Sequence, residues 1–363
     1  MTDITKADVE NLLKSLIDPN VETDLVTAKS VKNITVNGSN VSVSIELGYP
    51  AKSYLKELQT AVEEKLQQLA EVGKIDVTVA FNIISHSVQQ TLQPIPNVKN
   101  IIAIASGKGG VGKSTTSVNL ALALASEGAN VGILDADIYG PSIPTMLGLS
   151  GYPESEDGKS MNPKISFGVQ TISIGYLIEE DQPMIWRGPM VTNALQQLLK
   201  DTNWDNVDYL IVDLPPGTGD IQLTLAQQIP VTGAVIVTTP QDIALIDAQR
   251  GLGMFEKVNV PVLGLVENMS MHICSNCGHE EAIFGQGGGE AMAKKNDIEL
   301  LGSLPLDIKI REFSDSGRPT VVADPDGRPT EIYKSIARKM AAKLALKGKD
   351  YSSKFPNIVI QNT

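Results

Sequence analysis

The run Gly107-Lys108-Gly109-Gly110-Val111-Gly112-Lys113-Ser114-Thr115 follows the apolar stretch Ile101 to Ala105 and carries the densest chemistry in the chain. Glycines at this spacing let successive backbone N–H groups turn inward around an anion, and a helix starting behind them adds its positive N-terminal end. Lys113 is placed to reach the β- and γ-phosphates of a nucleotide, and the Ser114 hydroxyl to hold Mg²⁺. Downstream, Asp213 closes the apolar run from Tyr209 and precedes Leu214-Pro215-Pro216-Gly217-Thr218-Gly219-Asp220. A carboxylate there is expected to share the Mg²⁺, with Gly217 offering an N–H to the γ-phosphate so that hydrolysis releases the loop. Asp135-Ala136-Asp137 ends another apolar run, where one carboxylate would orient the attacking water and the other support the metal. The chain has two cysteines, Cys274 and Cys277, and thiolates three positions apart can converge on one metal or cluster.

Such residues need strand ends to stand on. From about Lys99 onward apolar strands alternate with helical stretches, which predicts an α/β fold, a mostly parallel sheet covered by helices on both faces, with ligands gathered at the strands' carboxyl ends. Val131 to Leu134 runs into Asp135, Ala234 to Val237 into Thr238-Thr239-Pro240, and Val262 to Val266 into Glu267-Asn268. Thr116 to Leu124 continues the phosphate loop as a helix apolar enough to pack on a sheet. Ser150 to Pro163 reads as a surface loop, and Gly285-Gln286-Gly287-Gly288-Gly289, with no strand before it and no G-K-[ST] after it, as a flexible connection. The final helix, about Thr330 to Leu346, places Ile332, Ile336, Met340 and Leu344 on one face and is expected to pack on the sheet rather than on a membrane.

The first ninety residues predict a small α+β unit without catalytic residues. A helix from Lys6 to Ile17 leads to a hairpin of Ser30 to Val36 and Val41 to Leu47 around Asn37-Gly38. A second helix, Ala51 to Val72, sets Leu55, Leu58, Val62, Leu66 and Leu69 on one face, and the strand Ile75 to Phe81 follows. Thr91 to Asn97 breaks both periodicities. The expected division is therefore 1–90, a linker 91–98, a nucleotide-binding unit 99–345 and a tail 346–363.

Composition sets the outer limits. A chain of 363 residues has ample core for two or three domains, and its net charge of −12 argues against broad binding to nucleic acid. No segment approaches the roughly 20 apolar residues of a membrane span, and Met1-Thr2-Asp3-Ile4-Thr5-Lys6 lacks a signal-peptide pattern, so a cytoplasmic protein is expected.

Lys108 to Thr115, Asp135-Ala136-Asp137-Ile138-Tyr139-Gly140-Pro141-Ser142, Asp213 to Asp220 and Asn268-Met269-Ser270 together resemble the Mrp/ApbC family of iron-sulfur cluster carriers, over about Asn97 to Ala345. That family belongs to the deviant Walker A ATPases, with the Min and Par positioning proteins and the nitrogenase iron protein. The resemblance implies ATP binding and hydrolysis, and a homodimer in which Lys108 crosses to the partner's nucleotide somewhat as an arginine finger does. It also implies water positioning by Asp137, Asn268 and the Pro305-Leu306-Asp307 segment near the adenine, and recipient apo iron-sulfur proteins. Trp186-Arg187-Gly188-Pro189 matches the family too. The N-terminal unit is similar to the iron-sulfur assembly domain often fused in this family. The cysteine that some such domains carry is absent, with Gly48-Tyr49-Pro50-Ala51-Lys52 in that region, so no ligand role is expected there.

For His272-Ile273-Cys274-Ser275-Asn276-Cys277-Gly278-His279 three chemistries are open. Zinc would need His272 and His279 to complete a Cys₂His₂ set, and a redox dithiol lacks its usual thioredoxin-like setting. Two thiolates from each of two chains would make a Cys₄ shell for one [4Fe–4S] cluster on a dimer axis. This last reading and a lysine acting in trans require the same partner. Two rival functions are an ATP-dependent electron donor resembling the nitrogenase iron protein, whose cysteines come from distant segments, and a Min/Par-type positioning ATPase without a cluster.

Overall fold

The computed structural model describes residues 4–70, 72–89, 92–177, 188–274 and 276–347. Trp186, Arg187, Ser275, Thr91 and nearly all of the C-terminal tail lie outside the described residues.

The N-terminal unit contains α1 (Lys6–Leu13), β1 (Val31–Asn37), β2 (Asn40–Leu47), α2 (Leu55–Leu66) and β3 (Ile75–Phe81). β1 and β2 form the antiparallel hairpin around Gly38, whose φ of 61° suits the residue without a Cβ, and β3 lies parallel to β2. Both helices are shorter than the sequence periodicity suggests. α1 ends at Leu13 because Ile17–Asp18 leaves the helix to pair with Thr23–Asp24. α2 begins only at Leu55 because Gly48 to Tyr54 is drawn into contacts with the larger unit.

The second unit is a single eight-stranded sheet. In chain order its strands are β4 (Val98–Ala105), β5 (Val131–Asp135), β6 (Lys164–Ser166), β7 (Val169–Ser173), β8 (Val207–Asp213), β9 (Gly233–Thr238), β10 (Val262–Glu267) and β11 (Leu300–Ser303). Their spatial order is β11-β10-β9-β4-β8-β5-β7-β6, parallel throughout except for the edge hairpin of β6 and β7. The expected α/β architecture is present. Its central strands are buried on both faces, and alternate residues feed two separate cores. Ile102, Ile104 and Ile211 face the core built by α3 (Lys113–Ser126) and the last helix, here α9 (Arg328–Ala345). Ile101, Ala103 and Val212 face the other, built by α4 (Gly188–Lys200), α5 (Asp220–Gln228), α6 (Asp242–Lys257) and α7 (Gly288–Lys295). The remaining helix used below is α8 (Ile308–Asp315).

α9 packs as its apolar stripe predicts, with Ile336, Met340 and Leu344 buried. Its lysines are not a free basic face, since Lys339 and Lys343 both reach Glu299. Among the described residues no helix is long and apolar enough to cross a membrane. Ile95, within the stretch read as a linker, is buried against the second core, and β4 already begins at Val98.

The two units share one continuous core on the α3/α9 face. A polar joint fixes their relative position. Glu127, the residue that ends α3, is buried and accepts hydrogen bonds from the Ser53 N–H (2.9 Å) and Ser53 Oγ (2.5 Å), while its carbonyl accepts from the Lys52 N–H. Arg338 of α9 pairs with the same carboxylate at 2.8 Å and reaches Asn20, which with Asp18 and Tyr49 completes a buried network. Burial, with the Asp18 carboxylate alongside, pushes the Tyr49 hydroxyl far above its usual range, so it remains a donor to Asp18. Removing one partner of such a pair strands the other without its counter-charge. Arg338→Met should lower unfolding stability by about 2–4 kcal/mol because it leaves the enclosed Glu127 carboxylate without its counter-charge, and Glu127→Ala should cost less because the stranded arginine retains some solvent contact. Urea unfolding midpoints of the two variants check both the loss and the order.

Candidate functional site

The site lies where the carboxyl ends of β4, β5 and β8 meet the start of α3. The phosphate loop leaves β4 at Ser106 and turns through Gly110 and Gly112, both at φ 80°, a left-handed conformation that a side chain would strain. Gly107 is required for another reason, because a Cβ there would lie 2.2 Å from the Asp247 carbonyl carbon of α6. Gly112 caps α3, so Lys113, Ser114 and Thr115 begin the helix and turn their N–H groups toward the loop's concave side. Together with Lys108, Gly109, Asp137 and Pro216 they line a cleft of roughly 240 Å³.

Asp213 is the hub. Fully buried at the end of β8, its Oδ2 accepts from Ser114 Oγ at 2.5 Å and pairs with Lys113 Nζ at 2.8 Å, while Oδ1 accepts from Ser117 Oγ at 2.6 Å. Ser117 escaped the sequence reading. Its signal is a serine one turn beyond Ser114 in an otherwise apolar helix, on the face turned to the sheet. Lys113 also stands 3.8 Å from Asp137 Oδ2.

The two acids of Asp135-Ala136-Asp137 part company. Asp137 opens on the cleft; burial pushes its carboxyl up and Lys113 pulls it down. Asp135 is enclosed, accepting from Ser173 Oγ, the Ile143 N–H and the Asp137 N–H, so it shapes the loop rather than facing a ligand. Burial, reinforced by the Asp213 carboxylate, raises it to about 7. The Gly217 N–H, expected to be free for a γ-phosphate, is held by the Ser106 carbonyl oxygen at 3.0 Å, because the loop after β8 folds back over β4.

Asn268 meets the phosphate loop through its backbone: Nδ2 donates to the Val111 carbonyl oxygen at 2.8 Å. Pro305 and Asp307 lie outside the cleft lining, and the Asp307 carboxylate caps α8 through the Lys309 N–H.

Cys274 and Cys277 occupy a small hairpin in which His272–Ile273 pairs with Glu280–Glu281. The Cys274 N–H donates to His279 O and the Gly278 N–H to Cys274 O, a tight turn in which neither cysteine is in a disulfide, Cys277 is exposed and Cys274 half-buried. N–H groups of Asn276 and Cys277, then the Cys277 thiol, hold Cys274 below the ordinary thiol range and favour its thiolate. His272 Nδ1 is 3.1 Å from the Leu306 carbonyl oxygen, and among the described residues no three His, Cys, Asp or Glu side chains are grouped to hold a metal ion. A Cys₂His₂ set is therefore not assembled within the described part of one chain. The Gly285 to Gly289 run, expected to be a flexible connection, instead starts α7, where the Gly289 N–H donates to Glu267 Oε2 at 2.6 Å. A carboxylate of the chain already fills that helix end.

A family model described as NUBPL iron-transfer P-loop NTPase matches residues 97–341, and one described as iron-sulfur cluster assembly protein matches residues 6–79. The chain belongs to the iron-sulfur cluster carrier family of P-loop NTPases. The iron-sulfur cluster carrier protein of Escherichia coli K12 is 52% identical over 344 residues, covering 94% of this chain and 93% of that one. The iron-sulfur cluster transfer protein NUBPL of Mus musculus is 51% identical over 254 residues, covering 69% of this chain and 80% of its own length. Among solved structures, a nucleotide-binding protein from Archaeoglobus fulgidus in complex with ADP is 37% identical, with a TM-score of 0.56 over 64% of this chain and 90% of that one. The carrier's phosphate loop, Asp213 and the cysteine hairpin all fall within the first matched region.

The raised Asp135 gives the nucleotide-free carrier a pH signature. Its folded value lies above the unfolded carboxylate value, so its contribution is fully present below about pH 4 and is lost as pH rises toward 7. Asp135→Asn cannot titrate. The stability difference between wild type and this variant should shift in favour of the wild type as pH falls from 7.5 to 5, by up to about 1.4 kcal/mol per pH unit. Thermal or urea unfolding of both proteins across that range reads it.

Proposed function

We propose that this carrier is a homodimeric cytoplasmic ATPase that holds a [4Fe–4S] cluster between Cys274 and Cys277 of two chains and hands it to recipient apoproteins. The observation that carries the reading is the cysteine turn. It offers two thiols outside any disulfide, that of Cys274 supported by backbone N–H groups, and no third ligand grouped beside them among the described residues, half of a Cys₄ shell. A two-fold axis supplies the other half. Ligands shared across an interface and exposed to solvent are easier to surrender than an enclosed set, which suits cargo.

ATP is the assigned nucleotide, cradled by Gly107 to Thr115, with the adenine toward Asn268 and the Pro305 to Asp307 segment. The donor set fits Mg²⁺, because a hydroxyl and a carboxylate already converge at Ser114 Oγ and Asp213 Oδ2. When bound, the ion would neutralise charge on the β- and γ-oxygens. Lys113 leaves Asp213 for the phosphates and so frees that carboxylate. Asp137, on the cleft wall, orients the attacking water. Lys108 takes part in no ion pair among the described residues and is assigned to the partner's nucleotide. Turnover is slow and serves cluster transfer. The same proposal includes an assembly-type domain over 1–90, a linker over 91–98, the ATPase domain over 99–345 and a tail over 346–363.

Anaerobic reconstitution with iron and sulfide should give about four irons per dimer with a [4Fe–4S] Mössbauer signature, lost in both Cys274→Ala and Cys277→Ala. One tightly held zinc per monomer would sink the bridging cluster. Lys108→Ala should retain ADP binding while ATP turnover drops at least about tenfold. Turnover equal to wild type would remove the lysine from the chemistry.

A further inference from the structure

We infer that Asn268 is a positioning residue joining the nucleotide cradle to the cysteine hairpin, so that phosphate in the loop tightens the stem on which Cys274 stands. The inference rests on the assignment of these two sites made above.

The contact is to one particular peptide unit. The Val111 carbonyl that accepts from Asn268 Nδ2 belongs to the same planar group as the Gly112 N–H, and the described chain contains no cis peptide. In a trans unit the carbonyl and the N–H point in opposite directions. Holding the carbonyl on Asn268 therefore aims the Gly112 N–H away from it, toward the concave side of the loop where a phosphate oxygen sits. The fit is close on both sides. Asn268 is buried, its backbone N–H is fixed to Thr238 O at 2.7 Å, and a Cβ on Gly112 would lie 2.2 Å from Nδ2. The carboxamide has no room to follow a loop in two orientations with one hydrogen bond.

The other end of the same side chain holds the exit from the sheet. Asn268 Oδ1 accepts from the Met269 N–H at 2.9 Å, and Met269 has φ 57°, a left-handed turn that a non-glycine residue adopts only when its surroundings impose it. Beyond that turn the chain is stitched to one neighbour. The Ser270 N–H and Oγ both donate to Leu304 O, the Leu306 N–H donates to Met271 O, and His272 Nδ1 meets Leu306 O. Cys274 follows two residues later. Its returning arm ends where the Gly289 N–H is caught by Glu267, the residue next to Asn268. The hairpin thus leaves and rejoins the fold at one point, and the Asn268 carboxamide hydrogen-bonds the phosphate loop to that point.

The test uses the full-length chain, reduced and free of cluster, with alkylation of Cys274 and Cys277 by iodoacetamide followed with and without saturating MgADP. Saturation keeps weaker nucleotide binding from imitating lost coupling. In the wild type, nucleotide should change the alkylation rate at least about threefold, and in Asn268→Ala, with MgADP raised until the weaker-binding variant is also saturated, the ratio should fall to one. A wild-type ratio of one, or an unchanged ratio in the variant, overturns the inference. Hydrogen exchange on the wild type needs no substitution. The amide of Met269 should gain protection when MgADP binds, and equal exchange in both states refutes the link even if Asn268→Ala fails to fold. Neither readout involves iron, so a chain that proved to bind no cluster would still pass or fail on its own terms.

Discussion

A single buried carboxylate organises the nucleotide end of this molecule. Asp213 has no solvent contact, and an ionised group in that position persists only if every oxygen is paired. Lys113, Ser114 and Ser117 supply the partners, all from the first turns of one helix. The consequence is mutual. The helix cannot slide along the sheet without stranding the carboxylate, and the carboxylate cannot be replaced by an apolar residue without stranding the lysine. The loop inherits its geometry from that arrangement, because its last residues are the helix's first.

The same arrangement sets the charge that an incoming nucleotide meets. Lys113 lies between Asp213 and Asp137, and its single positive charge is shared by two acids at 2.8 and 3.8 Å. Asp135, raised to about 7, adds its own negative charge only in part near neutrality. Attraction for a polyphosphate therefore falls to the backbone N–H groups and the helix end, which are fixed in place and need no rearrangement. Under the proposed function, the lysine would contribute after exchanging one anion for another.

Much of this was legible beforehand. The alternation of apolar strands with helices gave the parallel sheet, and the polar residues after Leu134, Val212 and Val266 marked the strand ends that became the site. What escaped was whatever depends on long-range partners. Asp135 and Asp137 look alike in sequence, yet only the fold encloses one and opens the other. The glycine run 285–289 carries no hint that Glu267, more than fifteen residues earlier, fills the helix end it creates. Helix ends differ from the local pattern for a similar reason: Ile17 and the stretch before Leu55 suit a helix locally, but a strand pairing and the Glu127 joint claim them. For Asn268 the sequence pattern gives no hint of its bonds to two backbone groups, the Val111 carbonyl and the Met269 N–H.

The Glu127 joint also has a mechanical side. α3 is a stiff rod of 14 residues, about 21 Å long, with the phosphate cradle at one tip and the N-terminal unit bolted to the other. A rod clamped at its far tip and pinned by Asp213 at its first turns has no pivot. On the coupling inferred above, motion at the cradle would then pass to the strand exit at Met269 rather than into a tilt of the helix. The small domain would in that sense act as ballast that decides in which direction the other half of the molecule yields.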